Sequence, residues 1–193
     1  MNEADNSLAP ARLFDLVRRT LLMMLGRRPI SGSYVVDAPA LWQAIWASVI
    51  FTFVVSVYPG LQYGISVLVT SLILQLVTVV LTVLLFARIL NGAGLGDRLF
   101  VFAVPFLWVE NVQHLVGGVA WALMQYLAVL SGDMTLLVLI APLVFWTIYW
   151  LWRIGRDQLG RGGWFATGLL CLSFVIDAGL SLFVQSRVQI PPG

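Results

Sequence analysis

Glu110 and His114 stand four residues apart, the spacing at which a carboxylate and an imidazole share one helix face and can meet. Asn111 and Gln113 lie beside them, and Gln75 and Asp177 are the other strongly polar groups inside long apolar runs. A charge held in hydrocarbon costs about 3 kcal/mol even on lenient insertion scales, so each of these groups calls for a partner inside a helix bundle. Two roles suit such a set. The titratable members Glu110, His114 and Asp177 could pass a proton or bind a cation. Equally, the whole cluster of Glu110, Asn111, His114, Asp177 and Gln75 could act as an interhelical polar clamp, or line a short water-filled notch that satisfies these groups without moving anything. With three ionisable residues, no second carboxylate-bearing repeat and no discontinuous helix pair, the clamp is the expected role.

Other chemistries find little support. One histidine with two carboxylates is a poor metal-ligand set, so no metal or other cofactor is expected. The chain carries no Gly-x-Ser-x-Gly elbow, no His-Glu-x-x-His and no Cys-x-x-Cys, and no serine is placed to serve His114, so no enzymatic activity is expected. Cys171 is the single cysteine, which excludes a disulfide framework within the chain and reads as a small buried hydrophobe.

The elements that must position these residues are membrane spans. Apolar residues make up 60% of the 193 and charged residues 10%, against roughly 25% charged in a soluble domain. The run from Ala38 to Ala87 has no charge at all, enough for two spans of about 20 residues. The fold class is therefore all-α, a polytopic bundle with five spans expected at about 41–58, 65–90, 99–130, 135–152 and 164–184. Pro59-Gly60, Asn91-Gly92-Ala93-Gly94, Ser131-Gly132-Asp133 and Gly160-Arg161-Gly162-Gly163 supply the turns, and Gly60 and Gly64 read as turn residues. The third segment would be about 48 Å long as one helix, beyond a hydrocarbon core of about 30 Å. It is either one tilted or kinked helix, or two halves meeting near Gly117-Gly118. Gly118 and Ala122, and likewise Ser173 and Asp177, offer sites of close helix packing. Trp42, Tyr58, Tyr63, Trp150, Trp152 and Trp164 fall at segment ends, where an interfacial aromatic belt belongs.

Residues 1–37 form a cytoplasmic lead-in. Around positions 11–25, Arg12, Asp15, Arg18 and Arg19 occupy one helix face and Leu13, Phe14, Leu16, Val17, Leu21 and Met24 the other. Such a helix is expected in the lipid interface, its arginines (with Arg27 and Arg28) on anionic headgroups; docking on the protein's own cytoplasmic face is the alternative. Leu21 to Leu25 is too short for the apolar core of a cleavable signal peptide. All eleven basic residues are arginine, a genome-composition effect that suggests a bacterial source. Five spans place Arg12, Arg18, Arg19, Arg27, Arg28, Arg88, Arg98, Arg153, Arg156 and Arg161 on one side and only Arg187 on the other. Basic residues mark cytoplasmic loops, so the N-terminus is expected inside and the short tail, 187–193, in the periplasm of an inner membrane. No basic stripe interleaved with aromatics suggests nucleic acid.

The chain also resembles a known family. A cytoplasmic lead-in closing at Leu21 to Pro29 precedes the spans, and the second ends in Leu85-Phe-Ala-Arg-Ile-Leu-Asn-Gly-Ala-Gly94. The third opens with Phe102-Ala-Val-Pro105, and the fourth runs Ile148-Tyr-Trp-Leu-Trp-Arg-Ile-Gly155 into an Arg/Gly loop. Over roughly Arg12 to Val184 this layout resembles the bacterial branch of the Yip (Ypt/Rab-interacting protein) domain family, five-span membrane proteins of about this length. The acidic Asp-Leu-Tyr-Gly-Pro stretch of its eukaryotic members is absent, and the resemblance implies no catalytic residues. What it implies is a non-enzymatic membrane scaffold or accessory subunit of a larger membrane assembly, partnered by another membrane protein or by itself. The alternative is a small proton- or cation-coupled transporter component using Glu110, His114 and Asp177.

Overall fold

The computed structural model describes residues 8–131, 138 and 141–187, and among them every regular element is helical. Helix α1 covers Pro10–Met24, α2 Ala38–Tyr63, α3 Ile65–Gly92, α4 Leu99–Ser131, α5 Ala141–Leu159 and α6 Gly163–Arg187; a single 3-10 turn, Gly96–Arg98, leads into α4. Four stretches are long and apolar enough to cross a bilayer: Ala38–Tyr63, Ile65–Gly92, Gly96–Met124 and Gly163–Val184. The expected fourth span begins at positions that, except for Val138, lie outside the described residues, as do the Gly132-Asp133 turn and residues 188–193 of the tail.

Local chemistry explains the helix limits. Asp37 caps α2 by accepting the Ala40 N–H at 2.8 Å. The same helix continues to Tyr63 instead of stopping at Tyr58, with Pro59 inside it. Proline removes a single helix hydrogen bond there, a loss that membrane helices tolerate. Gly64 alone makes the turn to α3, at φ 106°, where a side chain would be strained. Gly60 is thus a helix residue, and a Cβ on it would lie 3.0 Å from Leu68, so its small size brings α3 close to α2. Helix α4 runs unbroken through Pro105 and through Gly117-Gly118, which excludes the two-halves arrangement. A Cβ on Gly118 would sit 2.5 Å from Val55, so α2 and α4 touch there as the small-residue reading anticipates; Ala122 is exposed and makes no such contact.

Apolar helices must satisfy their hydroxyls internally. Thr52, Ser71, Thr147 and Thr167 each donate to the carbonyl four residues earlier, at 2.8 to 2.9 Å.

Arginines tie one end of the bundle together. Arg98 donates to the Gln158 carbonyl at 3.2 Å, and Arg161 to the Ala93 carbonyl at 2.6 Å. The C-terminal ends of α3 and α5 therefore meet the N-terminal ends of α4 and α6. The tightest core lies toward this end, where Phe86, Phe102 and Phe106 form a triangle with ring centroids 5.1 to 5.3 Å apart. A Cβ on Gly155 would meet Ala166 at 2.9 Å, so α5 and α6 also touch closely. Residues 102–109 of α4 are buried throughout, whereas from Gln113 onward its described side chains are half-buried or exposed.

The lead-in helix differs from the interfacial expectation. Leu13, Leu16, Met23 and Met24 are buried on the bundle, with Ala40, Leu41 and Ala103 in the same core as the first two. Thr20 donates to the Leu16 carbonyl at 2.8 Å and accepts from the Tyr34 hydroxyl at 2.9 Å, and burial pushes the Tyr34 phenol well above its usual range. The face expected in lipid covers the protein instead, because α2 and α4 offer it a matching apolar surface; only Phe14 and Leu25 of its large apolar groups stay exposed. Two further expectations change. Cys171 is exposed on α6, and Trp150 is buried in the core; Trp42, Tyr58, Tyr63 and Trp164 are exposed at helix ends.

Candidate functional site

Glu110 and His114 lie about 17 and 23 Å along α4 from Leu99, and Asp177 lies about 21 Å along α6 from Gly163, at 1.5 Å per residue. Because both helices start at the arginine-tied end, all three reach a similar level along the bundle. There they border a cavity of about 410 Å³ that all five long helices line. Helix α3 contributes Gln75, Thr78 and Thr82; α4 contributes Glu110, Gln113 and His114; α6 contributes Ser173 and Asp177. Apolar walls come from Val55 of α2 and from Leu143, Val144 and Leu151 of α5. Gly117 also borders the cavity, and a Cβ there would meet nothing.

The structure divides the expected cluster in two. Gln75, Glu110, His114 and Asp177 share the cavity, while Asn111 turns away from it. Asn111 is buried between α2 and α4, where its Oδ1 accepts from the Ser48 hydroxyl at 2.5 Å and its Nδ2 donates to the Ala44 carbonyl at 2.9 Å. Of the set expected to clamp helices together, Asn111 thus makes two hydrogen bonds from α4 to α2, and His114 makes another through Thr52.

His114 stands at the border. Its Nε2 lies 3.2 Å from Thr52 Oγ1. Thr52 already gives its one hydroxyl proton to the Ser48 carbonyl, at 2.8 Å, so Nε2 is assigned as the donor and Nδ1 has no protein partner among the described residues. Fixing one imidazole nitrogen leaves the other available for proton exchange.

Glu110 is half-buried and has no hydrogen-bond partner among the described residues. The carboxylate of Asp177, which is exposed, interacts electrostatically with both Glu110 and His114. Thr78 Oγ1 is buried, also without a hydrogen-bond partner. Unpartnered polar groups of this kind persist in an apolar bundle when the contents of the cavity satisfy them. The carboxyl groups of Glu110 and Asp177 border one small volume with no arginine among its described lining residues, a setting suited to a cation or to protons. No group of three His, Cys, Asp or Glu side chains among the described residues is placed to hold a metal ion.

Sequence reasoning singled out Gln75 but missed Thr78 and Thr82. The signal was there: Gln75, Thr78 and Thr82 recur at i, i+3 and i+7, a polar stripe down an otherwise apolar helix. Ser173, read only as a packing residue, is a buried part of the cavity wall.

The basic residues expected on headgroups also separate. Arg12 and Arg19 pair with Asp15 at 3.6 and 2.7 Å, and Arg18 is exposed. Arg27 and Arg28 border a second, smaller pocket with Arg153 of α5.

No family model matches the sequence, and no curated protein or solved structure matches it either.

Proposed function

We propose that this chain is a five-span protein of a bacterial inner membrane that binds a proton or small monovalent cation in its polar cavity, as part of a transport or coupling step. The observation that carries this reading is the unpartnered Glu110 carboxylate on the wall of a cavity shared with Asp177 and His114. A clamp would have tied Glu110 and Asp177 to one another or to backbone, as Asn111 is tied and as His114 is tied to Thr52. The cycle needs no covalent step: a carboxylate takes up the cation from one side, releases it to the other, and His114 Nδ1 is placed to exchange protons with it. The scaffold reading keeps support at Asn111, whose two hydrogen bonds serve packing alone.

The fifth span of the proposal is α5, which packs between α4 and α6. Its orientation follows from the arginine-tied end, taken as cytoplasmic. A reporter active only in the periplasm should be silent when fused after Arg98 or Arg161 and active when fused after Asp133 or at the C-terminus. A cytoplasmic C-terminus would refute the five-span arrangement.

Reactivity toward charged thiol reagents tests the cavity itself. In a Cys171→Ala background, Gln75→Cys and Gln113→Cys should be modified by a small cationic methanethiosulfonate, at a rate at least about tenfold that of an anionic one. Leu84→Cys, at an exposed apolar position facing lipid, should remain unmodified. Equal rates with the two reagents, or no modification of either cavity position, would count against a water-filled cation site.

A further inference from the structure

The second pocket holds about 250 Å³ between the α1–α2 linker and the C-terminal half of α5, and three of the residues that line it are arginines: Arg27, Arg28 and Arg153. The linker is built to present the first two. Gly26 takes φ 72°, and the Arg27 N–H returns to the Leu22 carbonyl at 2.9 Å, which closes α1 in a fixed turn. Ser33 hydrogen-bonds the Pro29 carbonyl and holds the next turn. Across the pocket, Arg153 lies over the Trp150 ring, 4.7 Å from its centroid, and Trp150 is itself buried.

The charges do not balance locally. Among the described residues the acidic partner near them is Asp157, at 3.4 Å from Arg153 and 2.8 Å from Arg156, so it is shared between two arginines. Arg27 and Arg28 have no acidic partner among the described residues. Three like charges around one small volume repel each other unless an anion joins them, and guanidinium forks match phosphate oxygens bidentately. Basic pockets at the cytoplasmic ends of membrane helices suit phospholipid headgroups for that reason.

We infer that Arg27, Arg28 and Arg153 form a discrete phosphate-binding site at the membrane face, filled by the phosphate of an anionic phospholipid or by free phosphate. A bound phosphate would join the α1–α2 linker to α5 at the membrane face.

The test uses the full-length purified protein, with native mass spectrometry and melting as readouts. Short-chain phosphatidic acid should bind with one-to-one stoichiometry and raise the melting temperature, while short-chain phosphatidylcholine should do neither. Arg27→Gln with Arg28→Gln should weaken that binding about 25-fold, near fivefold per charge removed, and Arg153→Gln about fivefold. Arg153→Lys, which keeps the charge, controls for misfolding and should retain most of the affinity. Arg18→Gln, at an exposed arginine outside the pocket, should change it by less than twofold. The same one-to-one binding with inorganic phosphate would support the site and assign its source to free phosphate. Equal losses for Arg18→Gln and the pocket variants, or equal binding of phosphatidylcholine, would overturn the proposal in favour of a diffuse basic surface.

Discussion

Asn111→Leu is expected to lower the melting temperature of the detergent-solubilised protein by about 4–8 °C, corresponding to about 2 kcal/mol. Leucine fills a similar volume, so the loss comes from the hydrogen bonds and not from a cavity. Both bonds cross from α4 to α2, at Ser48 and at Ala44, beside the His114–Thr52 contact at 3.2 Å. Membrane hydrogen bonds average less than 1 kcal/mol each, but this side chain is fully enclosed and makes two. Adding Ser48→Ala should cost little more, since the partner is already gone. Asn111 does not border the cavity, so cation-selective labelling of Gln75→Cys should persist in the Asn111→Leu protein. A melting temperature within about a degree of wild type would show that the clamp is not what joins these helices.

The contrast between Asn111 and Glu110 also marks how far the sequence could be read. Both stood out as polar groups in an apolar run, and helix periodicity put Glu110 and His114 on one face. The sequence could not say that Asn111, one residue along, rotates about 100° onto the α2 contact while Glu110 turns to the opening between α3 and α6. That depends on which neighbour each face meets, and the pairing of helices is a tertiary fact. The helix limits failed where local signals mislead. Pro59-Gly60 looks like a stop, yet the chain stays helical to Tyr63, because one lost hydrogen bond is a small cost beside four more helical residues. The lead-in's two-faced pattern was legible, but not its destination: an apolar face of Leu13, Leu16 and Met23 fits lipid and protein alike. The arginine asymmetry put the loops around Arg98 and Arg161 on one side. The contacts of Arg98 with Gln158 and of Arg161 with Ala93 gather the same loops at one end.

Glu110 should behave in the opposite way to Asn111. Glu110→Gln replaces a carboxyl that has no hydrogen-bond partner among the described residues and that faces the Asp177 carboxylate, so the variant should melt at or above the wild-type temperature. It should nevertheless lose function, because an amide neither titrates nor balances a cation. The measurement that tests this most directly is ion flux into vesicles reconstituted with the purified protein. A potassium diffusion potential would drive uptake, read by an internal pH dye for protons and by a sodium-sensitive dye for sodium. The wild-type protein should give a rate for one of these ions several-fold above protein-free vesicles, and Glu110→Gln should fall at least about tenfold, to the protein-free level, with its melting temperature intact. Wild-type vesicles that leak no faster than protein-free ones to protons, sodium or potassium, together with a lowered melting temperature for Glu110→Gln, would contradict the account and return Glu110 to the role of a structural clamp.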